Sequence, residues 1–133
     1  MNGQWRVAVV EDDADIRDLV VDVLAALGFE AVGYADGAEA LLALRGPGPT
    51  PAVILLDLEM PGMTGWEFRR EQLADPRLAA IPVVVASAAD RASIEADAFL
   101  PKPYETAELC GVLARVALRG AADPAHRPPA HAA

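Results

Sequence analysis

The chain has 133 residues, 53% of them hydrophobic, and a formal net charge of -9. That length suits one domain with a real buried core and excludes a wholly disordered protein. The acidic balance argues against direct binding to nucleic-acid phosphates, and one cysteine, Cys110, excludes a disulfide framework or a cysteine zinc cluster. The N-terminus lacks the charged-then-apolar plan of a signal peptide. No apolar run reaches the ~20 residues that span a membrane. A cytoplasmic protein without membrane contact is expected.

In chain order, two kinds of apolar segment alternate. Val7–Val10 is short, continuous and rich in valine, as in a strand buried on both faces. Ile16, Leu19, Val20, Val23, Leu24 and Leu27 then recur at helical spacing, giving one apolar helix face that Gly28 ends. Glu30–Tyr34 reads as a second strand, and Asp36 as the cap of a helix running to Leu44. After the Pro/Gly loop 46–51, residues 52–56 form a third buried run. Thr64 and Glu67 have the spacing of a capping box that opens the third helix. Residues 82–86 form a fourth strand and 97–100 a short last one. Leu109, Val112, Leu113 and Val116 mark a final helix that Gly120 closes. A domain over 1–119 and a flexible Ala/Pro-rich tail over 120–133 are expected.

Strands alternating with helices predict an α/β fold with a parallel sheet covered on both faces. The expected form is a flavodoxin-like, doubly wound, five-stranded sheet of order 2-1-3-4-5. In such sheets ligands bind at the carboxyl ends of the strands. Strand one ends in Glu11-Asp12-Asp13, strand three in Asp57 and strand four in Ser87, and strand five leads into Lys102-Pro103. Glu11, Asp12 and Asp57 brought together repel one another and need a cation. All-oxygen ligands with no histidine or cysteine point to Mg²⁺. A carboxylate beside Mg²⁺ can act as a nucleophile toward phosphorus, with the metal and an ammonium neutralising the transferred oxygens. Lys102 is the single lysine among eleven basic residues. A compact point charge suits that pocket differently from a planar guanidinium. Asp13 reads as a helix N-cap, and Met60, Met63, Trp66 and Cys110 as packing residues.

The stretches Val9–Asp13, Leu55–Gly65, Ala86–Ala88 and Phe99–Tyr104 resemble the receiver domain of two-component response regulators over about residues 5–119. The resemblance implies that Asp57 accepts a phosphoryl group from a histidine kinase or phosphotransfer protein. It implies that Glu11, Asp12, Asp57 and the backbone carbonyl of Glu59 hold Mg²⁺. It makes Ser87 the switch hydroxyl, Lys102 the phosphate-contacting ammonium and Phe99 the switch aromatic, with a cis Lys102–Pro103 bond. The implied protein is a phosphoacceptor that assists its own phosphorylation and dephosphorylation rather than an enzyme. It signals by phosphorylation-dependent protein contact or phosphorelay to an output partner the sequence leaves unknown. The fourteen residues 120–133 leave no effector domain after it, so a stand-alone receiver is expected.

Three departures matter. Only fourteen residues separate Ser87 from Lys102, about seven fewer than usual, so the fourth helix must fit within 89–96 with Ile94 as its one large apolar residue. The output surface is therefore expected on the first or last helix. Glu11 stands where Asp is commoner, and Ser87 replaces the more frequent Thr. Two other readings compete. A non-phosphorylated pseudo-receiver binding module would keep the fold without the chemistry. A haloacid-dehalogenase-type phosphatase needs a second Asp after the nucleophile, which Leu58-Glu59-Met60 does not supply.

Overall fold

The computed structural model describes residues 5–88 and 94–122. Five strands, β1 (Arg6–Val10), β2 (Glu30–Tyr34), β3 (Val53–Asp57), β4 (Val83–Ser87) and β5 (Ala98–Pro101), form one parallel sheet of order β2-β1-β3-β4-β5. The helices are α1 (Ala14–Ala26), α2 (Gly37–Arg45), α3 (Gly65–Ala74) and α4 (Thr106–Ala122).

The alternation of side chains along each strand builds two cores. Ala8, Val10, Ile54, Leu56, Val83 and Val85 point to one face and pack with Ala40 and Leu41 of α2 and Phe68 of α3. Val7, Val9, Val53, Leu55, Val84 and Ala86 point to the other and meet Val20 and Leu24 of α1 and Leu109, Leu113 and Val116 of α4. Continuous Val/Ile/Leu runs are thus required in β1, β3 and β4, because neither face reaches water.

Helix starts follow the anticipated caps. The Asp13 carboxylate accepts from the amides of Asp15 and Ile16, Asp36 accepts from the Glu39 amide, and Thr64 and Glu67 form the reciprocal capping box. Gly28 follows α1 at φ 97°, the left-handed geometry that a helix exit favours in glycine.

Two expectations are corrected. The apolar face of α1 is only partly covered: Val20 and Leu24 are buried, whereas Ile16, Leu19 and Leu27 are exposed. Six apolar positions span a wider arc than one sheet face touches. The final helix runs through Gly120, where it was expected to close, to Ala122, because glycine weakens a helix by ~1 kcal/mol without compelling its end. The shortened fourth segment is expected within 89–96 as a single turn or a loop. Residues 89–93 lie outside the described residues and 94–96 carry no helix. Ile94 packs, partly buried, against the α2/α3-side core. Residues 123–133 of the expected tail also lie outside the described residues.

A buried polar knot ties the segments that precede β4 and β5 to α3. Gln72 is fully buried, and its amide donates to the carbonyls of Leu78 (2.9 Å) and Ile81 (3.0 Å) while its oxygen accepts from Arg69 (2.8 Å). Arg69 also donates to the Glu95 carbonyl at 3.0 Å. Gln72→Leu keeps the volume and removes both amide donors, so buried carbonyls lose partners. The expected loss is about 2–4 kcal/mol, read from urea denaturation. A loss within measurement error would contradict this role.

Candidate functional site at the carboxyl edge of the sheet

Register alone assembles the site. Val10 lies beside Leu56, Asp57 beside Ala86 and Ser87 beside Pro101. The residues that follow β1 and β5, and those that end β3 and β4, therefore share one edge. The Lys102 amide donates to the Ser87 carbonyl at 3.0 Å, extending the β4–β5 pairing to the lysine, and the Lys102–Pro103 peptide is cis.

Glu11 and Asp57 are buried and Asp12 is exposed, and each offers a carboxylate oxygen such that all three lie within 4.8 Å of one another. The Lys102 Nζ donates to Glu11 Oε1 at 3.0 Å and to Asp57 Oδ1 at 3.4 Å. The Asp13 amide donates to Glu11 Oε2 at 3.2 Å and the Glu59 amide to Asp57 Oδ1 at 3.4 Å. One ammonium faces three acids, so the cluster retains negative charge. Burial and the neighbouring Glu11 carboxylate push the Asp57 carboxyl up to about 6, against the opposing pull of Lys102 and the Glu59 amide. Burial alone would lower the Lys102 ammonium, but its hydrogen bond to Glu11 and the charges of Asp57 and Glu11 hold it above its ordinary value. It stays charged at neutral pH.

An acidic, all-oxygen cluster with one exposed member fits a hard divalent cation that keeps several waters. No cysteine or histidine is among these residues, so the donor set does not suit a soft metal.

The loop after β3 is shaped by glycines. Gly62 sits at φ 73°. Gly65 brings the start of α3 against the strand end, its amide donating to the Leu58 carbonyl at 2.9 Å. A Cβ at Gly65 would lie 2.6 Å from Leu58 Cα and 2.7 Å from the Asp57 carbonyl oxygen. Gly65→Ala must therefore push α3 away from Asp57. It is expected to cost about 1–3 kcal/mol in a thermal or urea melt and to slow any reaction that depends on Asp57 placement. Unchanged stability would show that the loop absorbs the methyl.

The resemblance gives Glu59 a metal-ligating backbone carbonyl and a place, two residues past the acceptor, where phosphoryl lifetime is set. Its side chain also takes part, with Ser87 Oγ donating to Glu59 Oε1 at 3.3 Å. Phe99 pairs with Val85 and packs, partly buried, against the α2/α3-side core. Tyr104 was not anticipated. Burial raises its hydroxyl, and the charges of Lys102, Glu11 and Asp57 all act on it. Arg17 was also missed: its guanidinium donates to the Glu11 carbonyl at 2.9 Å. The available signal was Gly33 inside β2, since a strand glycine marks a close approach.

The response regulator receiver domain family model matches residues 7–114. The chain belongs to this family. The receiver is similar to SphR, an alkaline phosphatase synthesis transcriptional regulatory protein of Synechococcus elongatus. The two are 34% identical over an alignment of 137 positions that covers 92% of this chain and 52% of SphR. The receiver thus spans about half the length of that relative. Among solved structures it resembles chemotaxis protein CheY4 of Vibrio cholerae, with a TM-score of 0.78, 28% identity, and coverage of 86% of this chain and 99% of that one. It also resembles the response regulator TrrA of Thermotoga maritima, solved in complex with Mg²⁺ and BeF. There the TM-score is 0.74 and the identity 26%, over 85% of this chain and 99% of TrrA. The flavodoxin-like fold expected from the strand pattern is the fold observed. Among the described residues no helix is long and apolar enough to cross a membrane.

Proposed function

We propose that this receiver takes a phosphoryl group onto Asp57 from the phosphohistidine of a histidine kinase or phosphotransfer protein. The observation that carries this reading is the Asp57 carboxylate itself. It is buried at the sheet edge, beside Glu11 and Asp12 and hydrogen-bonded to Lys102. Glu11 and Asp12 would hold Mg²⁺ together with Asp57 and the Glu59 carbonyl. The metal, when bound, supplies positive charge to the acids and to the incoming phosphoryl oxygens.

The other steps belong to the chain. An Asp57 oxygen attacks phosphorus as the P–N bond to the donor imidazole breaks, leaving an acyl phosphate. Lys102 moves from sharing the carboxylates to neutralising a phosphoryl oxygen, which its compact ammonium permits. Ser87 donates its hydroxyl to another oxygen, leaving Glu59. The readout is a phosphorylation-dependent protein contact or relay rather than turnover of a substrate, and a phosphohistidine donor made from ATP implies a cytoplasmic setting. The charge of -9 supports a protein partner rather than nucleic acid for this domain. Exposed Ile16 and Leu19 on α1 and Leu118 on α4 support output through those helices. Amide shifts between the two phosphorylation states would test this, and changes confined to 89–96 would refute it.

The direct experiment mixes the protein with Mg²⁺ and a small acyl-phosphate donor or a phosphorylated kinase domain and reads intact mass. One phosphoryl adduct that requires both Mg²⁺ and Asp57 is expected. Mg²⁺ binding without an adduct from either donor would favour a binding module that keeps the fold and loses the chemistry.

A further inference from the structure

Glu11 and Asp12 lie where β1 stops being a strand. The last sheet bond of this segment runs from the Glu11 amide to the Tyr34 carbonyl at 3.1 Å, and α1 begins at Ala14. The short link between must hold two acids in fixed directions. The Asp13 cap orients the helix side, and the Asp13 amide orients the Glu11 carboxylate. The backbone carbonyls of Glu11 and Asp12 are gathered by a side chain from inside α1. Arg17 Nη1 donates to the Glu11 carbonyl at 2.9 Å and approaches the Asp12 carbonyl at 3.5 Å. Helical side chains lean toward the helix N-terminus, so a residue one turn into α1 reaches back to this link.

The path of that side chain is built into β2. A Cβ on Gly33 would lie 2.8 Å from Arg17 Cγ and 3.0 Å from Arg17 Cδ. Gly33 is inside a strand at ordinary φ, where a glycine normally weakens the sheet. Its missing side chain is the room through which the Arg17 stem passes to the acid link.

We infer that Arg17 is a positioning residue for the Mg²⁺ site, acting through the backbone of Glu11 and Asp12, and that Gly33 exists to let it do so. This rests on the proposal that Glu11, Asp12 and Asp57 take Mg²⁺. The inference is counterintuitive on charge alone. A guanidinium near a divalent cation disfavours binding, so a purely electrostatic Arg17 would make its removal tighten Mg²⁺. Residues that orient ligands act the other way, and their loss typically weakens a metal site about tenfold or more. The two roles therefore differ in sign.

The test is calorimetric titration of Mg²⁺ into wild type, Arg17→Lys, Arg17→Ala, Gly33→Ala and the Arg17→Ala/Gly33→Ala pair, with a thermal melt and metal-free amide spectra of each. Positioning predicts that Arg17→Ala weakens Mg²⁺ binding about tenfold. Arg17→Lys, which keeps the charge and loses the fork, is expected to weaken it as well. The metal-free amide signals of Asp12 and Asp13 should move in both. Gly33→Ala should weaken binding in the wild-type background and add little once Arg17 is Ala, since there is then no stem to displace. Unchanged binding in Arg17→Lys together with tighter binding in Arg17→Ala overturns the inference, as does a Gly33→Ala effect that is the same in both backgrounds. Should Arg17→Ala fail to fold, Arg17→Lys and Gly33→Ala decide the matter. A wild type that binds no Mg²⁺ sinks the proposed function. In that event the metal-free spectra still show whether Arg17 orders the acid link.

Discussion

Asp57→Asn is expected to abolish phosphoryl incorporation completely, and at the same time to make the metal-free protein more stable at neutral pH. The first effect follows from chemistry: an amide oxygen of the same shape is not a nucleophile toward phosphorus, while Glu11, Asp12 and Lys102 remain in place. The second follows from linkage. The folded protein raises the Asp57 carboxyl from 3.8 to about 6 through burial and the neighbouring Glu11, so it holds its proton more tightly than the unfolded chain does. Stability gained from that proton is fully present below about pH 4 and is lost as pH rises through about 6. Above that, the ionised carboxylate costs the fold up to about 3 kcal/mol. The asparagine variant should therefore exceed wild type by about 1–3 kcal/mol at pH 7.5 in metal-free urea melts. The gap should close between about pH 6 and 4 and narrow when Mg²⁺ is added. A gap that ignores pH would show that Asp57 is not strained by its neighbours. A residual adduct on the variant would move the acceptor elsewhere.

The second large effect is expected for Lys102→Met. The ammonium bonds to Glu11 and Asp57, whose side chains are 8% and 6% exposed. Removing it leaves two nearly buried carboxylates facing each other without a counter-charge. Breaking a buried pair costs about 3–5 kcal/mol. Lys102 itself is 24% exposed, which brings the expected loss to about 2–4 kcal/mol at pH 7.5. Acidification should restore part of it, because Asp57 then takes up a proton. Mg²⁺ should restore more and should bind more tightly than in wild type, since a competing cation has gone. Phosphoryl incorporation should nevertheless fall about a hundredfold, because a preorganised charge on the transferred group is missing. A variant that is destabilised yet phosphorylated at the normal rate would confine Lys102 to a structural role. A fully active and fully stable one would refute the ion-pair reading altogether.

The elements of this fold were legible because each carries its own period. The valine-rich runs that became β1 and β4 have no polar position, which only a doubly covered strand tolerates. The caps Asp13, Asp36 and Thr64 were readable because a capping hydrogen bond joins residues two or three apart. The presence of α4 was legible from the helical spacing of Leu109, Val112, Leu113 and Val116. Its end was not, because Gly120 sets a preference and not a stop.

The site divides in the same way. Asp57, Glu11, Asp12, Ser87 and Lys102 were each visible as the residue at a strand end, and the parallel topology that strand–helix alternation implies brings strand ends together. What sequence by itself determined is thus the α/β class, the order of strands and helices, the starts of the first three helices and the acids at the sheet edge, all set by local spacing or by topology. Only the tertiary structure decided which neighbours act on them. The 3.0 Å contact between Lys102 and Glu11 joins residues 91 apart. The Ser87–Glu59 bond, the Gln72 knot and the passage of Arg17 over Gly33 likewise depend on register and side-chain direction across elements. The exposure of Ile16 and Leu19 belongs here too, since an apolar position is buried only if another element reaches it. Periodicity states which face a helix offers. Packing decides how much of that face is taken, because burial is a property of two surfaces and a sequence pattern describes one.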